Sequence, residues 1–387
     1  MRYGWIVVVT LLLAASGCET LPPALEQTAQ LQLKVEDNSN FMKSLYGSTN
    51  VRQAEVWLKS TSYGIEYKFF TDSLGVAHLE GLTSDLYNIA IVRQLDRSEV
   101  EKVTGAAIPR RLSGGLSSLV IRADQPSSLI TVKVDLQPIS DIVISELYTC
   151  GAPGAGLYWH DKYVEICNIS EEIVYLDGIL IAEVYKGFLS DPFIRSKEVW
   201  KFPGRGKDYP IKPGQFMVIA TDGIDHRVNA PLSVDLSKSA FEFYLWTGPD
   251  IENPLVPDMI LIYQPAGFDW LMGGELDAFV LARVANVDSL QYVDEHLLIP
   301  KSDVIDGVEY LKDPTRLDQK KLDPTIDAGA AGGIQFYTGL SQERKMRTSG
   351  SRWTLEDNNN SSLDFVKIPH PTPGYHYTTG SAGKGIR

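Results

Sequence analysis

The eight residues LITVKVDL at 129–136 set Ile130, Val132 and Val134 against Thr131, Lys133 and Asp135. A period of two gathers the apolar side chains on one face of a β-strand, whereas a helix would scatter them around its circumference. The same alternation occurs in Leu31, Leu33 and Val35 against Gln32, Lys34 and Glu36, and in Ala54, Val56 and Leu58 against Glu55, Trp57 and Lys59. Further strand-like runs fall at 65–70, 76–79, 87–92 and 118–123. About seven short strands in about 105 residues predict a β-sandwich over 31–138. The stretch 96–115, polar and ending in Ser113-Gly114-Gly115, is predicted to be a long surface loop between strands.

Residues 139–377 are strand-rich as well, with runs at 142–147, 163–169, 215–220, 241–246, 259–263 and 278–282 and little helical periodicity. The fold class is therefore all-β, in two parts. A chain of 387 residues with 44% hydrophobic and 22% charged residues has the composition of a globular protein and enough apolar material for one large or two medium cores. Its 49 acidic against 36 basic residues give a net charge of −13, a field that repels nucleic acid and anionic lipid surfaces.

The amino terminus reads as an export signal: Arg2, an apolar run at 5–15 too short to span a bilayer, then Ser16 and Gly17. Ala15-Ser16-Gly17-Cys18 resembles the bacterial lipobox, with Ala where the first position usually carries Leu. That resemblance implies a signal peptide at 1–17 and acylation of Cys18. At about 0.8 kcal/mol per buried methylene, several acyl chains would hold the mature chain at a membrane. Residues 18–30, with Pro22 and Pro23, are expected to form a tether, and the Gly-, Ser- and Lys-rich segment 378–387 a disordered tail.

Setting Cys18 aside leaves Cys150 and Cys167, which flank the turn-forming GAPGAG at 151–156 between two strand-like runs. A hairpin centred near residue 158 would set them opposite each other as a disulfide candidate; two buried free thiols are the alternative. The spacing does not fit a CxxC metal or redox motif.

Three stretches of the first region, QAEVWL at 53–58, TDSLGVAHLEGL at 71–82 and YNIAI at 87–91, resemble the carboxypeptidase-regulatory or transthyretin-like sandwich. Locally, Asp72 can bond its own backbone, Gly75 can take a positive φ and Gly81 permits a close corner. In the second region Ile144-Ser145-Glu146, YVEICNISEEIVYLDG at 163–178, IKPGQFMVIA at 211–220, RWTLEDNNNSSLDF at 352–365 and PTPG at 371–374 resemble the lamin-tail domain. The resemblances imply two immunoglobulin-like β-sandwich domains, 31–138 and 139–377, the second an expanded lamin-tail-like domain. The whole arrangement resembles an uncharacterised Bacteroidota lipoprotein family whose members are commonly encoded beside TonB-dependent outer-membrane receptors.

Catalysis leaves little trace. His78, His160, His226, His296, His370 and His376 are scattered without HExxH spacing, and neither a GxSxG elbow nor a phosphate loop occurs. His370 and His376 read as exposed loop residues of a Pro-rich tail, and Glu171 with Glu172 as an acidic pair on a solvated strand edge. Glu356-Asp357-Asn358-Asn359-Asn360 offers either an oxygen-rich calcium site or side chains capping a tight turn, and the missing EF-hand spacing favours the turn. The run 241–246 and the loops holding Trp200, Trp270 and Trp353 could face a ligand, with core packing the commoner use.

The sequence thus predicts no catalytic residue, metal site or cofactor. It points to a non-catalytic lipoprotein tethered by Cys18 to the outer membrane and exposed at the cell surface. By the family resemblance it would be a binding or accessory subunit of a TonB-dependent β-barrel receptor, taking up a nutrient, siderophore or metal complex. Adhesion or scaffolding through a surface polysaccharide or protein is the alternative, and an exported hydrolase using carboxylates the third class. A small molecule or a glycan remains open as the ligand, and nucleic acid is excluded.

Overall fold

Alternation in the sequence becomes alternation in burial along strand Ala29–Asp37, where Ala29, Leu31, Leu33, Val35 and Asp37 are buried and the residues between them are not. The computed structural model describes residues 28–106, 110–125, 127–156, 158–185, 192–247, 250–265, 270, 272–349 and 352–377. The signal segment, the acylation candidate Cys18, most of the expected tether and the tail at 378–387 lie outside the described residues. Among the described residues no helix is long and apolar enough to cross a membrane.

The first module is a seven-stranded sheet in the order Glu66–Phe70, Glu55–Ser60, Asp85–Leu95, Arg110–Ile121, Leu129–Pro138, Ala29–Asp37, Val76–Leu82. Ala29–Asp37 and Leu129–Pro138 run parallel, Leu33 beside Ile130 and Val35 beside Val132. The sheet folds over one core, to which Leu33, Val35, Val56, Leu58, Leu79, Ile89, Ile91 and Val134 all contribute. The turn that starts Val76–Leu82 forms as its residues imply: the Asp72 carboxylate accepts from the backbone N–H of Leu74 at 2.8 Å and of Val76 at 2.9 Å. Gly75 sits at φ 76°, where a Cβ would lie 3.0 Å from both the Val35 carbonyl oxygen and the Val51 nitrogen.

The loop expected at 96–115 is replaced by a helix, Arg97–Thr104, and the first half of strand Arg110–Ile121. The helix starts because Glu99 turns back to accept from the Asp96 N–H at 3.0 Å. The strand is polar for a reason outside the first module, since its Arg111 and Ser113 bond to the second.

The second module packs two sheets face to face. One runs Phe241–Glu242, Phe216–Ala220, Tyr163–Asn168, Ile142–Tyr148, Ser341–Arg344, Phe365–Ile368. The larger runs Gln291–Val293, His296–Pro300, Phe193–Lys201, Leu180–Val184, Asp277–Ala282, Val304–Leu311, Ala331–Gly332, with Ile260–Tyr263 on a second register of Phe193–Lys201. Ile144, Val164 and Ile166 from one sheet and Ile181, Trp200, Phe279 and Val308 from the other share one core. Trp270 stacks on Phe243 inside it, ring centroids 4.4 Å apart, so Trp200 and Trp270 belong to the core. The far face of the larger sheet is covered too, where Ala182, Val280 and Ile299 pack under Leu322 and Ile326. The molecule is all-β apart from a few short helices.

Candidate functional site

The two modules are locked together by buried polar groups. Arg111 of the first module donates to the Asp357 carboxylate at 2.7 Å and to the Asn359 side-chain oxygen. Asn359 returns a bond from its amide to the Ser113 hydroxyl at 3.1 Å. Beside them Arg344, which is fully buried, donates to both oxygens of Asp306 at 3.1 and 2.8 Å and to Asp364 at 3.3 Å. Burial opposes ionisation of Asp357, but the Arg111 and Arg344 guanidiniums outweigh it and hold that carboxyl below its usual range. Asp364, where burial dominates, is pushed up to about 7. The Glu356–Asn360 stretch is thus a turn wrapped around two arginines. Asn358 donates to Asp364 at 2.7 Å, and Asn360 caps the short helix Ser361–Asp364 by accepting from Ser362 N at 3.1 Å. An apolar contact of Trp57 and Ala90 with Ala328 and Leu363 completes the junction. Gly115 allows this approach, because a Cβ there would stand 2.8 Å from that of Ala328.

Next to the junction the modules leave a cleft of about 280 Å³. Lys59, Thr61 and Asn88 line it from the first module, Gln342, Phe365 and Lys367 from the second. Lys59 donates to the Ser362 carbonyl and lies 3.3 Å from Glu66, which Lys345 also approaches to 3.3 Å. Burial, only partly offset by Glu66, lowers the Lys59 ammonium from its usual range. Lys367 is exposed and donates to the Gly333 carbonyl at 2.9 Å. None of the described residues lining the cleft carries a carboxylate. Gln342 is only 2% exposed, yet its side-chain oxygen has no hydrogen-bond donor among the described residues.

A second feature lies on the loops that follow strands Phe216–Ala220 and Phe241–Glu242. Glu242 clamps them, accepting from Gly223 N at 2.7 Å and from Asn253 N at 2.8 Å, while the Asn253 amide donates to the Gly223 carbonyl at 2.6 Å. Burial pushes the Glu242 carboxyl up to about 7, and burial together with Asp222 does the same to Asp250, which accepts from Leu245 N. His226 bonds the Asp222 carbonyl through Nε2 at 2.9 Å, which makes Nε2 the donor. Its Nδ1 therefore accepts from the Tyr158 hydroxyl at 2.6 Å. His160 meets the Asp222 carboxylate at 2.9 Å, and that bond raises its pKa. These groups hold one another and the backbone in place. On the loops so fixed, Val228, Leu232, Trp246 and Leu255 are 79%, 70%, 80% and 89% exposed.

The structure corrects two further sequence expectations. Cys150 and Cys167 are free and buried. The hairpin pairs Val143 with Cys167 and Tyr148 with Tyr163, so its centre falls about three residues before 158. Cys167 stands beside Val143, seven positions along the strand from Cys150, and at about 3.3 Å per residue the two cannot meet. His376 is buried, its Nε2 bonded to the Arg344 carbonyl at 2.8 Å; His370 is exposed as expected. The strand Tyr163–Asn168 is buried on both faces because the PTPG segment folds over it. Thr372 donates from its backbone and hydroxyl to the two oxygens of Glu146, at 3.1 and 2.9 Å, and Gly374 N donates to Glu165 at 2.7 Å. The cleft was not visible in the sequence, and of the loop end only Trp246, in the run 241–246, was singled out as able to face a ligand. The cleft draws single residues from distant segments, and Val228, Leu232 and Leu255 look like any other apolar residues until their exposure is known.

Residues 212–372 match the profile of a family described as protein of unknown function, DUF4876. A crystal structure of a DUF4876 family protein from Bacteroides thetaiotaomicron is similar over 87% of this chain and 94% of that one, at 21% identity with a TM-score of 0.54. The fold described above, across both modules, is shared with that protein. A DUF3823 family protein from Parabacteroides merdae aligns over 70% of this chain and 96% of its own at 9% identity and a TM-score of 0.17. Among curated proteins none matches this chain.

Proposed function

We propose that this chain is a non-catalytic binding lipoprotein of the outer membrane, tethered through Cys18, that serves as an accessory subunit to a TonB-dependent β-barrel receptor in uptake of a nutrient, siderophore or metal complex. The observation that carries the binding role is the clamped loop end with Val228, Leu232, Trp246 and Leu255 in solvent. Large apolar side chains on fixed loops can bury their surface against a partner with little ordering cost, and Trp is the residue most enriched at interface hot spots. The lipobox-like Cys18 supports the membrane tether, and the family resemblance supports the barrel as partner. The two modules are, in this reading, the transthyretin-like and expanded lamin-tail-like sandwiches of immunoglobulin type. Convergence of the Ile-Ser-Glu, Tyr-Val-Glu and Pro-Thr-Pro-Gly motifs on one buried cluster supports the second assignment.

Affinity capture with the tagged full chain from detergent-solubilised outer membranes of its native cell tests the reading. Recovery of a TonB-dependent barrel is expected, falling at least tenfold for Trp246→Ser with Leu255→Ser. Capture of no barrel, or of one indifferent to both substitutions, would overturn it. Mass analysis of the same material should find acyl chains on Cys18.

A further inference from the structure

We propose that the inter-module cleft binds a small hydroxylated organic anion of the size of a monosaccharide acid. Four observations converge on it. The first is charge: Lys59 and Lys367 line the cleft with no carboxylate among its described lining residues, while Lys59 and Lys345 share Glu66 outside it, in a chain whose net charge is −13. A basic recess in an acidic protein concentrates anions where the rest of the surface repels them. The Ser60 hydroxyl is already given to Asp85 at 2.6 Å, and Asp85 is not among the described lining residues, which leaves the lysines as the charged groups of the lining.

The second is an unmet hydrogen bond. Gln342 lines the cleft and is 2% exposed, with its side-chain oxygen lacking a donor. A buried acceptor left unsatisfied costs about 1–3 kcal/mol, which a ligand hydroxyl would relieve. The Thr61 hydroxyl, also lining the cleft, is buried without a partner among the described residues. One ligand with several hydroxyls can serve both.

The third is shape. The lining mixes these polar groups with Phe365, Ala330, Ala331 and Pro314. An apolar wall with a few polar groups is the usual construction of a small-molecule site, and the hydrophobic face of a sugar ring suits it. A volume of about 280 Å³ equals roughly nine waters at their liquid volume, room for one monosaccharide and not for an oligosaccharide buried whole. The fourth is rigidity. Both walls are fixed by the Arg111–Asp357 and Arg344–Asp306 bonds, so the cleft is formed before a ligand arrives.

The inference rests on reading the chain as a binding protein and is independent of its barrel partner, since binding can be measured on the isolated chain. Isothermal titration of the detergent-solubilised full chain would use glucuronate, galacturonate, glucose and inorganic phosphate as probes. At least one uronate is expected to bind at least tenfold more tightly than glucose and than phosphate, and to weaken as salt is raised. Lys367→Ala, at an exposed position, should weaken it about tenfold without moving the melting temperature. Gln342→Glu should abolish it by setting a carboxylate against the ligand's own. Failure of both uronates to bind, equal binding of uronate and glucose, or binding unchanged in Lys367→Ala would each overturn the proposal. Phosphate binding as tight as the uronates would reduce the cleft to a simple anion trap and overturn the sugar-acid assignment.

Discussion

Strand Ala29–Asp37 of the first module and strand Asp277–Ala282 of the second both have a neighbour on each side, yet they are built by opposite rules. The first alternates, with Leu31, Leu33 and Val35 inside and the residues between them outside. The second is buried at every position, because its sheet is covered on both faces. A strand with one wet face needs polar residues only where water meets them. A strand with no wet face must pair whatever polar residue it holds. Asp277 accordingly bonds Lys321 at 2.7 Å, and Glu309 on the neighbouring strand bonds Lys320 at 2.8 Å. The first module is held mainly by apolar burial, and the second adds a framework of buried charge.

The sharpest way to break this contrast is Arg344→Met. It leaves Asp306, Asp357 and Asp364 buried beside a neutral side chain, and removing one partner of a buried ion pair typically costs about 3–5 kcal/mol. Urea unfolding at pH 7 should show a loss of that order. The loss should shrink towards pH 5, where the stranded carboxyls take up protons. A pH-independent loss would mean that Arg344 contributes by packing alone.

Glu146 gives the next largest effect. Burial pushes its carboxyl up to about 7, and Glu165 beside it is raised as well, so the two titrate as a pair. A folded-state pKa above the unfolded one contributes stability that is complete below the unfolded value and lost as pH rises through the folded value. Stability should therefore fall between about pH 4.5 and 7, by roughly 3 kcal/mol at most for this group. Glu146→Gln, which keeps an acceptor for Thr372, should flatten that slope. An unchanged slope would assign the pH dependence to other carboxyls.

These two substitutions fall in the module whose fold was harder to read. LITVKVDL and the Asp72–Gly75 turn were legible because one face of each strand meets water and one residue type alone fits each turn position. Residues 110–115 were misread because Arg111, Ser113, Gly114 and Gly115 are loop-forming residues out of context. Their reasons lie across the junction and the sheet: Arg111 meets Asp357, Ser113 meets the Thr325 carbonyl, and Cβ atoms on the two glycines would come within 2.5 Å of backbone oxygens. The helix before them did have a signal, Asp96 followed three residues later by Glu99. The Glu356–Asn360 turn was read correctly in kind, but its role as the bolt between modules needs the fold. Gln342 had no local signature at all, since its place in the cleft is a property of six segments meeting.

In the first module the comparable lever is backbone geometry. Gly75→Ala forces a side chain into the left-handed region at φ 76° with two backbone atoms 3.0 Å from its Cβ. A loss of about 1–3 kcal/mol is expected, insensitive to pH because no titrating group is involved. A pH-dependent loss would blur the division between the two modules.

The smallest effect expected is that of a reductant. Cys150 and Cys167 are each enclosed by apolar neighbours, Cys150 with Tyr148, Tyr163 and Leu236, Cys167 with Val143, Phe216 and Leu355. They act there as small apolar side chains, and burial pushes the Cys167 thiol well above its usual range, which suppresses the thiolate that disulfide exchange requires. Melting curves with and without dithiothreitol should superimpose, and Cys167→Ala should cost only the packing of one sulfur, about 1 kcal/mol. A fall in melting temperature on reduction would require a bond that the Val143–Cys167 register forbids, and would force the hairpin to be re-registered by about three residues.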